Sequence, residues 1–429
     1  MQQVETGKIK PIVDHLFRYE SGKLLSVLTR IFGIHNLELA EDVVQDTLIK
    51  AMENWKINGV PDNPSGWLFT TARNKALDVI RRERHHKDFA AEISPLLKSE
   101  YSAGETLREF IHENEVEDEQ LRMMFVCCHP SIAEEGQIAL ILKTLCGFSI
   151  AEIAKAFITN DETIGKRLYR ARQQFREEHI AFVIPSAEEL PLRLSNVLVA
   201  VYLLFNEGYN STHHDSLIRD DLVEEALRLG KMLADHPVTG RPETLALLAL
   251  MCFQAARLYG RVDQEGNLLS IRDQDRKRWN SELIEQGAGY LRNASQGNVV
   301  SAYHLEAAIA YEHCIAIDFT TTDWNKIIQL YDWLYTLKPD PLIALNRLIA
   351  FGEVHGPMAA LNESSHLPDQ EALKKYYLYP AALGEWCARA GKYDQAKVHF
   401  TTSLQLTQSP AEKRLLERKI ENLPPVKSC

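Results

Sequence analysis

The feature that most constrains this 429-residue chain is a pair of short amphipathic segments within residues 148–176. Ser149 and Glu152 have the spacing of a capping box, which marks the start of a helix. Residues 159–160 interrupt the pattern, and Asp161 is expected to cap a second helix. The apolar face of the first helix consists of Ile150, Ile153, Ala154 and Phe157. This arrangement predicts a helix-turn-helix.

The second helix of the pair has two opposite faces. The apolar stripe consists of Ile164, Leu168, Ala171 and Phe175. The polar and basic side chains on the other face are Thr163, Lys166, Arg167 and Arg170. A basic, hydrogen-bonding face backed by an apolar one is typical of a helix that reads the major groove of DNA. A solvated amphipathic helix is the alternative.

The length of the chain predicts two or three domains, because 429 residues exceed one ordinary core. A hydrophobic content of 45% with 25% charged residues is typical of a globular protein in solution. No apolar run approaches the roughly 20 residues of a membrane span, and the N-terminus lacks the apolar region of a signal peptide. We therefore expect a cytoplasmic protein without a membrane partner.

The seven cysteines favour reduced thiols over a disulfide scaffold at this chain length. Cys127, Cys128 and His129 form the one cluster that suggests a metal. No second Cys/His pair follows at a spacing typical of zinc sites, so helix packing is the favoured role of these thiols. No cofactor is predicted.

Charge is distributed unevenly along a chain whose net charge is −11 and whose pI is about 5.8. The acidic balance counts against simple operator binding, because a free-standing DNA binder usually has a basic surface. Basic residues nevertheless dominate residues 73–87 and 166–176, whereas acidic residues dominate residues 88–119. The pattern indicates two basic modules joined by an acidic connector.

The first module, about residues 12–86, is predicted to be helical throughout. One of its helices has an apolar face of Ala40, Val44, Leu48, Ala51 and Trp55. The opposite face is polar except for one isoleucine, and consists of Asp42, Gln45, Asp46, Ile49 and Glu53. Such a face suits docking on a partner helix as well as plain exposure to solvent.

A second helix of this module is predicted to follow the loop at residues 57–62, with Asn63 as its cap and Pro64 in its first turn. The side chains predicted to pack inward are Leu68, Ala72, Ala76 and Val79. Those left for other contacts are Trp67, Thr70, Arg73, Asn74, Asp78, Arg81 and Arg82. Aromatic rings beside Arg and Asn suit unstacked bases and phosphates of a single strand, and an ordinary charged face is the alternative.

Three segments in this order resemble an extracytoplasmic-function (ECF) sigma factor of bacterial RNA polymerase. They are LAEDVVQDT at residues 39–47, WLFTTARNKALDVIRR at residues 67–82, and the helix-turn-helix. The resemblance covers about residues 12–178. FVCCHP at residues 125–130 and LLFNEGY at residues 203–209 are similar to the subgroup with a long C-terminal helical-repeat extension.

The resemblance implies a role for each motif. The residues that match the polymerase-docking region are Asp42, Gln45, Asp46 and Ile49. The residues that match the part that melts and reads the −10 element are Asn63, Trp67, Thr70, Arg73, Asn74, Asp78, Arg81 and Arg82. The residues that match the face reading the −35 element are Thr163, Lys166, Arg167 and Arg170. Gly165 departs from a good recognition helix, either to permit close backbone approach to DNA or simply at a cost of about 1 kcal/mol relative to Ala.

The connector and the C-terminal half carry weaker signals. In such sigma factors the connector threads the polymerase channel, where acidic residues suit a basic lining; a solvated flexible linker fits the composition equally well. Residues 190–209 predict a long apolar helix. Residues 381–396 with Phe400 approximate tetratricopeptide spacing, and residues 337–340 and 359–361 form a looser copy. Stacked repeats would offer a protein or peptide ligand a concave surface, and generic helical packing is the alternative.

The sequence therefore predicts an all-α protein that is not an enzyme, because it has no P-loop, nucleophile elbow or paired metal motif. His213, His214 and Asp215 are expected on the surface. The predicted domains are sigma region 2 (10–87), an acidic linker (88–119), sigma region 4 (120–182) and a C-terminal regulatory domain (183–429). The predicted function is promoter recognition with core RNA polymerase. The alternative is a stand-alone helix-turn-helix regulator with a helical-repeat sensor. Whether the C-terminal domain inhibits or is required stays open.

Overall fold

The computed structural model describes residues 6–83, 113–178, 180, 182–186, 188–211 and 218–424. Within these ranges the regular secondary structure consists of helices, and one isolated antiparallel bridge joins Val262 and Leu268. This confirms the all-α class. The chain divides into two compact units. The first comprises Met1–Phe205 with Glu224–Leu233, and the second comprises Asn206–Val223 with Ala234–Cys429.

The helices of the first unit follow the predicted modules. Their bounds are α1 Thr6–Phe32, α2 Leu37–Asn58, α3 Pro64–Glu83, α4 Glu113–Cys127, α5 Glu134–Thr144, α6 Ile150–Ala156 and α7 Asp161–Glu177, followed by α8 Leu190–Tyr209 and α9 Asp220–Asp235, which the unit boundaries divide. Residues 88–112 of the predicted acidic linker lie outside the described residues. The linker's last seven residues, 113–119, form the start of α4.

The core of α2 and α3 matches the predicted apolar faces with one correction on each helix. On α2, Leu48 is half-buried, and the buried residues of the predicted face are Ala40, Val44, Ala51 and Trp55. On α3, Leu68, Ala72 and Ala76 are buried as predicted. Val79 is only half-buried, and Ile80 occupies the buried position instead. The correction on α3 reflects the 3.6-residue helical period, which places Ile80 rather than Val79 in line with Ala76.

The helix α1 joins the two predicted modules by direct packing on α4 and α5. A Cβ atom on Gly22 would lie 2.3 Å from the carbonyl oxygen of Leu145, so the two backbones meet at a position that only glycine fits. Arg30 lies 3.9 Å from the buried carboxylate of Glu119, which also pairs with Arg122. The two modules therefore pack on one another within the first unit.

The first unit continues beyond residue 182, where the C-terminal domain was predicted to begin. The side-chain amide of Asn196 in α8 donates to Gln137 in α5 at 2.8 Å. In α9, Arg228 donates to Gln120 in α4 at 3.0 Å, and its guanidinium lies 5.3 Å from the ring centre of Tyr19 in α1. Arg228 therefore connects α9 with both α1 and α4.

The second unit is a succession of helices in which neighbours along the chain pack on one another. Their bounds are α10 Pro242–Ala256, α11 Ser281–Ala294, α12 Ala302–Ile315, α13 Trp324–Leu337, α14 Pro341–His355, α15 Pro357–Glu363, α16 Gln370–Leu373, α17 Leu378–Arg389, α18 Tyr393–Leu406 and α19 Pro410–Glu421. Cys387, Ala396, Phe400 and Leu416 form a buried cluster. A Cβ on Gly384 would lie 2.6 Å from the ring of Phe400, so the absence of a side chain lets α17 and α18 approach closely.

The cysteine cluster ahead of the helix-turn-helix is part of a core. Burial raises the pKa of Cys127 to about 12, and burial together with Cys127 raises the pKa of Cys128 well above its usual value. Both thiols stay neutral and pack as apolar groups. Among the described residues, no group of three or more His, Cys, Asp or Glu side chains could hold a metal ion. His213, His214 and Asp215 lie outside the described residues.

Membrane insertion has no support in the described helices, none of which is both long enough and apolar enough to cross a bilayer.

Candidate nucleic-acid interface

The helix-turn-helix is built from two well-capped helices. The Ser149 hydroxyl accepts from the backbone N–H of Glu152 at 3.2 Å, and the Glu152 carboxylate accepts from the N–H of Ser149 at 2.7 Å. The predicted capping box is therefore confirmed. The predicted cap of α7 is wrong by one residue: Asn160, which has extended backbone geometry, accepts from the N–H of Thr163 at 2.9 Å, and Asp161 is the first helical residue.

The turn between the two helices contains a strained residue that the sequence did not reveal. Ile158 has a φ of 52° and is 96% exposed. A β-branched side chain is disfavoured in this left-handed region, so the turn is maintained by the helices on either side. The exposed isoleucine lies two residues before Asn160, the cap of α7.

The two faces of α7 are arranged largely as predicted. Ile164, Leu168, Ala171 and Phe175 are all buried, which confirms the apolar stripe. Among the predicted DNA-reading residues, Lys166 and Arg170 are exposed and Thr163 is half-buried. Lys166 pairs with Glu162 at 2.6 Å, and both side chains are exposed. Because exposed pairs contribute at most about 1 kcal/mol, a phosphate can displace Glu162 at little cost.

The fourth predicted residue, Arg167, is held back against the protein. Its guanidinium pairs with Glu135 at 2.7 Å and lies 5.5 Å from the ring centre of Phe157. The side chain of Arg167 is 23% exposed, whereas that of Glu135 is 64% exposed. Arg170 is therefore the arginine of this face that is presented outward, with no ion pair among the described residues.

Two further arginines of α7 bind the first module, which sequence reasoning missed. Arg172 donates to both carboxylate oxygens of Glu41 at 2.7 and 3.0 Å. Arg176 pairs with Glu38 one turn away. These contacts join residues more than 130 positions apart in the chain. The sequence shows the basic residues but carries no local signal for such distant partners.

The polar face of α3 is presented to solvent for most of its length. The exposed residues of the predicted set on this helix are Thr70, Asn74, Asp78, Arg81 and Arg82, and Arg73 is half-buried. Asp78 and Arg81 pair at 3.3 Å. The side-chain oxygen of Asn63 accepts from the N–H of Gly66 at 2.8 Å, which confirms its capping role.

Trp67 at the start of α3 is positioned by a second indole. Its ring centre lies 5.5 Å from that of Trp55 in an edge-to-face arrangement, and Trp55 in turn lies 5.6 Å from Phe17. Trp55 is fully buried, whereas Trp67 is half-buried. This packing fixes Trp67 at the boundary between the core and the polar face of α3.

The outward face of α2 combines charge with an apolar centre. Asp42, Gln45, Asp46 and Ile49 are all exposed. Asp46 pairs with Lys75 of α3 at 2.9 Å. Met52, which the sequence interpretation overlooked, is 50% exposed and follows Ile49 by three positions, so both share this face. Met52 could have been predicted on this face by extending the helical spacing one turn beyond Ile49.

Comparison with known protein families finds three matching models along the chain. Sigma-70 region 2 matches residues 16–86, and sigma-70 region 4 matches residues 122–175. A family of unknown function, DUF6596, matches residues 193–295. The α2 and α3 faces lie within the first match, and the helix-turn-helix lies within the second. No solved structure matches the chain.

Curated relatives fall into two kinds. An uncharacterised protein of Rhizobium meliloti is 31% identical over 399 residues, which cover 93% of each chain. The ECF RNA polymerase sigma factor SigE of Mycolicibacterium smegmatis is 27% identical over 39% of this chain and 61% of its own length. The ECF RNA polymerase sigma-E factor of Haemophilus influenzae is 27% identical over 42% of this chain and 92% of its own.

Proposed function

The chain belongs to the ECF sigma factors, in the subgroup with a C-terminal helical extension, and on that premise we propose that it binds core RNA polymerase and directs transcription initiation from −10 and −35 promoter elements. Sigma factors are not enzymes and act by binding. The observation that carries the proposal is the presence of exposed polar helix faces in both sigma-70 regions, each backed by a buried apolar stripe.

Polymerase binding is assigned to the outward face of α2. Ile49 and Met52 supply an apolar centre, and Asp42, Gln45 and Asp46 supply a polar rim. Protein interfaces commonly combine a desolvated apolar centre with charged residues around it. The partner is then a helix of the polymerase with apolar and basic residues. The ion pair between Lys75 and Asp46 connects α3 to this face of α2.

Recognition of the −10 element is assigned to α3. Removing a base from the duplex stack costs a few kcal/mol, and stacking on an aromatic ring returns about 1–3 kcal/mol per base. Trp67 is suited to that role because Trp55 already fixes its ring. Arg81 and Arg82 at the other end of the helix are suited to phosphates.

Recognition of the −35 element is assigned to the first half of α7 in the major groove. Arg170 and Lys166 are exposed there, and Thr163 lies beside the positive end of the helix dipole. Arg167 joins them once DNA replaces its partner Glu135. Arg172 and Arg176 are not assigned to this face, because the helical period places them toward α2, where they bind the carboxylates of Glu41 and Glu38.

We further propose that the packed first unit is a closed state of the protein. The −10 and −35 elements lie about 25 base pairs apart, which is roughly 85 Å of B-form DNA. Two contacting domains of this size span only about 60 Å. The two helix faces must therefore separate before both elements are read, and the Arg172–Glu41 contact must break.

The C-terminal extension is proposed to regulate this opening. Arg228 of α9 contacts Tyr19 of α1 and Gln120 of α4, which favours the closed state. In the second unit, the close approach of α17 and α18 at Gly384 and Phe400 supports a tetratricopeptide-like helix pair. Inhibition is thus the proposed action of the extension.

The test is run-off transcription with core polymerase on a library of randomised promoter fragments, with core binding measured in parallel. Ile49→Asp should abolish core binding, and Arg170→Ala should keep core binding but lower transcription from −35-dependent templates. Arg228→Ala should raise activity by favouring the open state, with Arg292→Ala as an exposed-arginine control.

Failure of both the unchanged chain and Arg228→Ala to bind core polymerase would overturn the proposal. Specific binding to duplex DNA without core would favour the stand-alone regulator. A shortened chain should end after Asp235, because ending it near Phe182 would remove α8 and α9 from the first unit.

A further inference from the structure

We propose that the second unit binds a small organic acid, namely an apolar molecule with one carboxylate or similar anionic group, in a cavity whose wall includes Arg257 and Arg261. The cavity has a volume of about 660 Å³, within the range of small-molecule sites. All of its lining residues belong to the second unit, so the proposal does not depend on promoter recognition.

Most of the cavity wall is apolar. It includes Leu269, Ile349, Leu378, Trp386, Phe400 and Leu416. Trp386 and Phe400 also belong to the buried core of this unit, which gives that part of the wall a rigid backing. A ligand body of carbon atoms is therefore favoured by burial of its surface.

Arg257 is the charged group of this wall that lacks a counter-charge. Its Nε is buried without a hydrogen-bond partner, and among the described residues it forms no ion pair. Its guanidinium lies 5.2 Å from the ring centre of Trp279. Because a buried donor on a charged group is unfavourable when left unpaired, an incoming anion gains the interaction that the protein does not supply.

Arg261 adds a second positive charge close to the first. It is only 8% exposed, donates to the carbonyl oxygen of Tyr209 and lies 3.7 Å from the centre of that ring. Burial, followed by the charges of Arg257 and Arg276, lowers the pKa of the neighbouring His313 to about 3. Two positive charges therefore lie close together here; the charge of Glu412 acts on Arg261, and no ion pair to Arg257 is found among the described residues.

The carboxylates that line the cavity already have partners. Those pairs are Arg272–Glu353 at 2.6 Å, Arg389–Glu353 at 2.5 Å, Lys419–Glu385 at 2.6 Å and Thr407–Glu412. Glu353 and Glu385 are thus paired with cations, whereas Glu412 is bonded by a hydroxyl and its charge acts on Arg261; none of the three forms an ion pair with Arg257. The side-chain oxygen of Gln274 is also buried without a partner, so a hydroxyl on the ligand would find an acceptor.

The test is calorimetric titration of the full chain with three probes of one shape: phenylbutyrate, phenylbutanol and phenylbutylamine. Phenylbutyrate should bind about tenfold or more tightly than the alcohol, because a charge-assisted bond to Arg257 is added, and the amine should not bind. Arg257→Gln should remove the preference for the acid and leave alcohol binding unchanged. Arg292→Gln, which changes an exposed arginine of α11, should leave all three affinities unchanged.

Equal affinity for acid and alcohol would overturn the proposal, as would acid binding unaffected by Arg257→Gln or absent at millimolar concentration. Thermal unfolding of unliganded Arg257→Gln should match that of the unchanged chain. If that variant unfolds at a lower temperature, Arg257→Lys decides: retained preference for the acid supports the proposal, and its loss overturns it.

Discussion

The two helices predicted to read DNA, α3 and α7, differ in how much of their polar surface is available. On α3 the polar residues from Thr70 to Arg82 mostly face solvent. On α7 Lys166 and Arg170 are exposed, whereas Arg172 and Arg176 bind Glu41 and Glu38 of α2. Helical periodicity separates a buried stripe from the rest of a helix, but it does not distinguish a free face from one that binds elsewhere in the chain.

This difference changes how the charge of α7 is understood. Its basic residues fall into two groups: the exposed Lys166 and Arg170, which are proposed to contact DNA, and Arg172 and Arg176, which bind α2. The attached half joins the reading helix to the same α2 that carries the proposed polymerase-docking face. We therefore propose that release of that half and docking on polymerase influence each other, because both involve α2.

The largest expected effect tests whether the two modules are packed together at all. In Gly22→Ala the new Cβ would lie 2.3 Å from the Leu145 carbonyl oxygen, and a backbone atom cannot rotate away. Overpacking of this kind costs about 1–3 kcal/mol, so the free energy of unfolding should fall by an amount near the upper end. Urea denaturation measures it.

Gly289→Ala is the matched control for that substitution. Gly289 is also helical, but an added Cβ meets no described atom beyond its own helix within 4 Å. This control should be stabilising by about 0.5–1 kcal/mol. Equal stabilisation by both substitutions would show that α1 and α5 are not in contact in solution.

The next effect compares the two halves of α7 directly. Arg170→Ala should weaken binding to a −35 duplex by about 1–3 kcal/mol, because it removes an outward DNA contact. Arg172→Ala should not weaken it, since the helical period places that side chain away from the face of Arg170. Fluorescence anisotropy with a duplex selected by transcription from the randomised library measures both. A larger loss from Arg172→Ala would remove the distinction between the halves.

A smaller effect is expected from changes to the Arg172–Glu41 ion pair, which attaches α7 to α2. Glu41→Arg and Arg172→Glu should each lower the free energy of unfolding by about 1 kcal/mol, and the double variant should recover most of the loss. The two side chains are 26% and 21% exposed, so salt should screen their coupling only in part. Urea denaturation at low and high salt measures the cycle, and additive single effects would contradict the pairing.

The sequence predicted local features far better than distant contacts. The capping box at Ser149 and the buried stripe of α7 depend on residues within one or two turns, so their spacing was sufficient. The pairing of Arg172 with Glu41 and the glycine contact at Gly22 depend on the tertiary fold, which spacing does not encode. The helical period places Arg167 on the polar face of α7, as predicted. Its guanidinium nevertheless contacts Glu135 and Phe157 instead of extending into solvent.

The same limit applies to the second unit. Residues 381–396 with Phe400 only approximate a repeat spacing, and the close contact of Gly384 with Phe400 is a feature of the packed helices α17 and α18. The cavity beside Arg257 could not be predicted, because its walls come from elements far apart in the chain, among them the α10–α11 loop, α14, α17, α18 and α19. An unpaired buried arginine is recognisable only once every neighbour is in place.

The smallest expected effect concerns Gly165, which lies in the outward half of α7. An added Cβ would meet no described atom beyond its own helix within 4 Å, so the protein itself does not require glycine there. Gly165→Ala should raise the free energy of unfolding by about 0.5–1 kcal/mol through helix propensity. Thermal or urea unfolding measures that gain, with Gly289→Ala as the reference.

DNA binding by Gly165→Ala separates the two explanations for this glycine. If the residue only weakens the helix, affinity for the −35 duplex should stay the same or rise with stability. If it permits close approach of the α7 backbone to DNA, affinity should fall while stability rises, because the new methyl group occupies the space of a phosphate or base edge. We expect the second result, since no contact within the described residues accounts for a glycine at this position. Opposite signs in the two measurements would mark the outward half of α7 as shaped for DNA rather than for the fold.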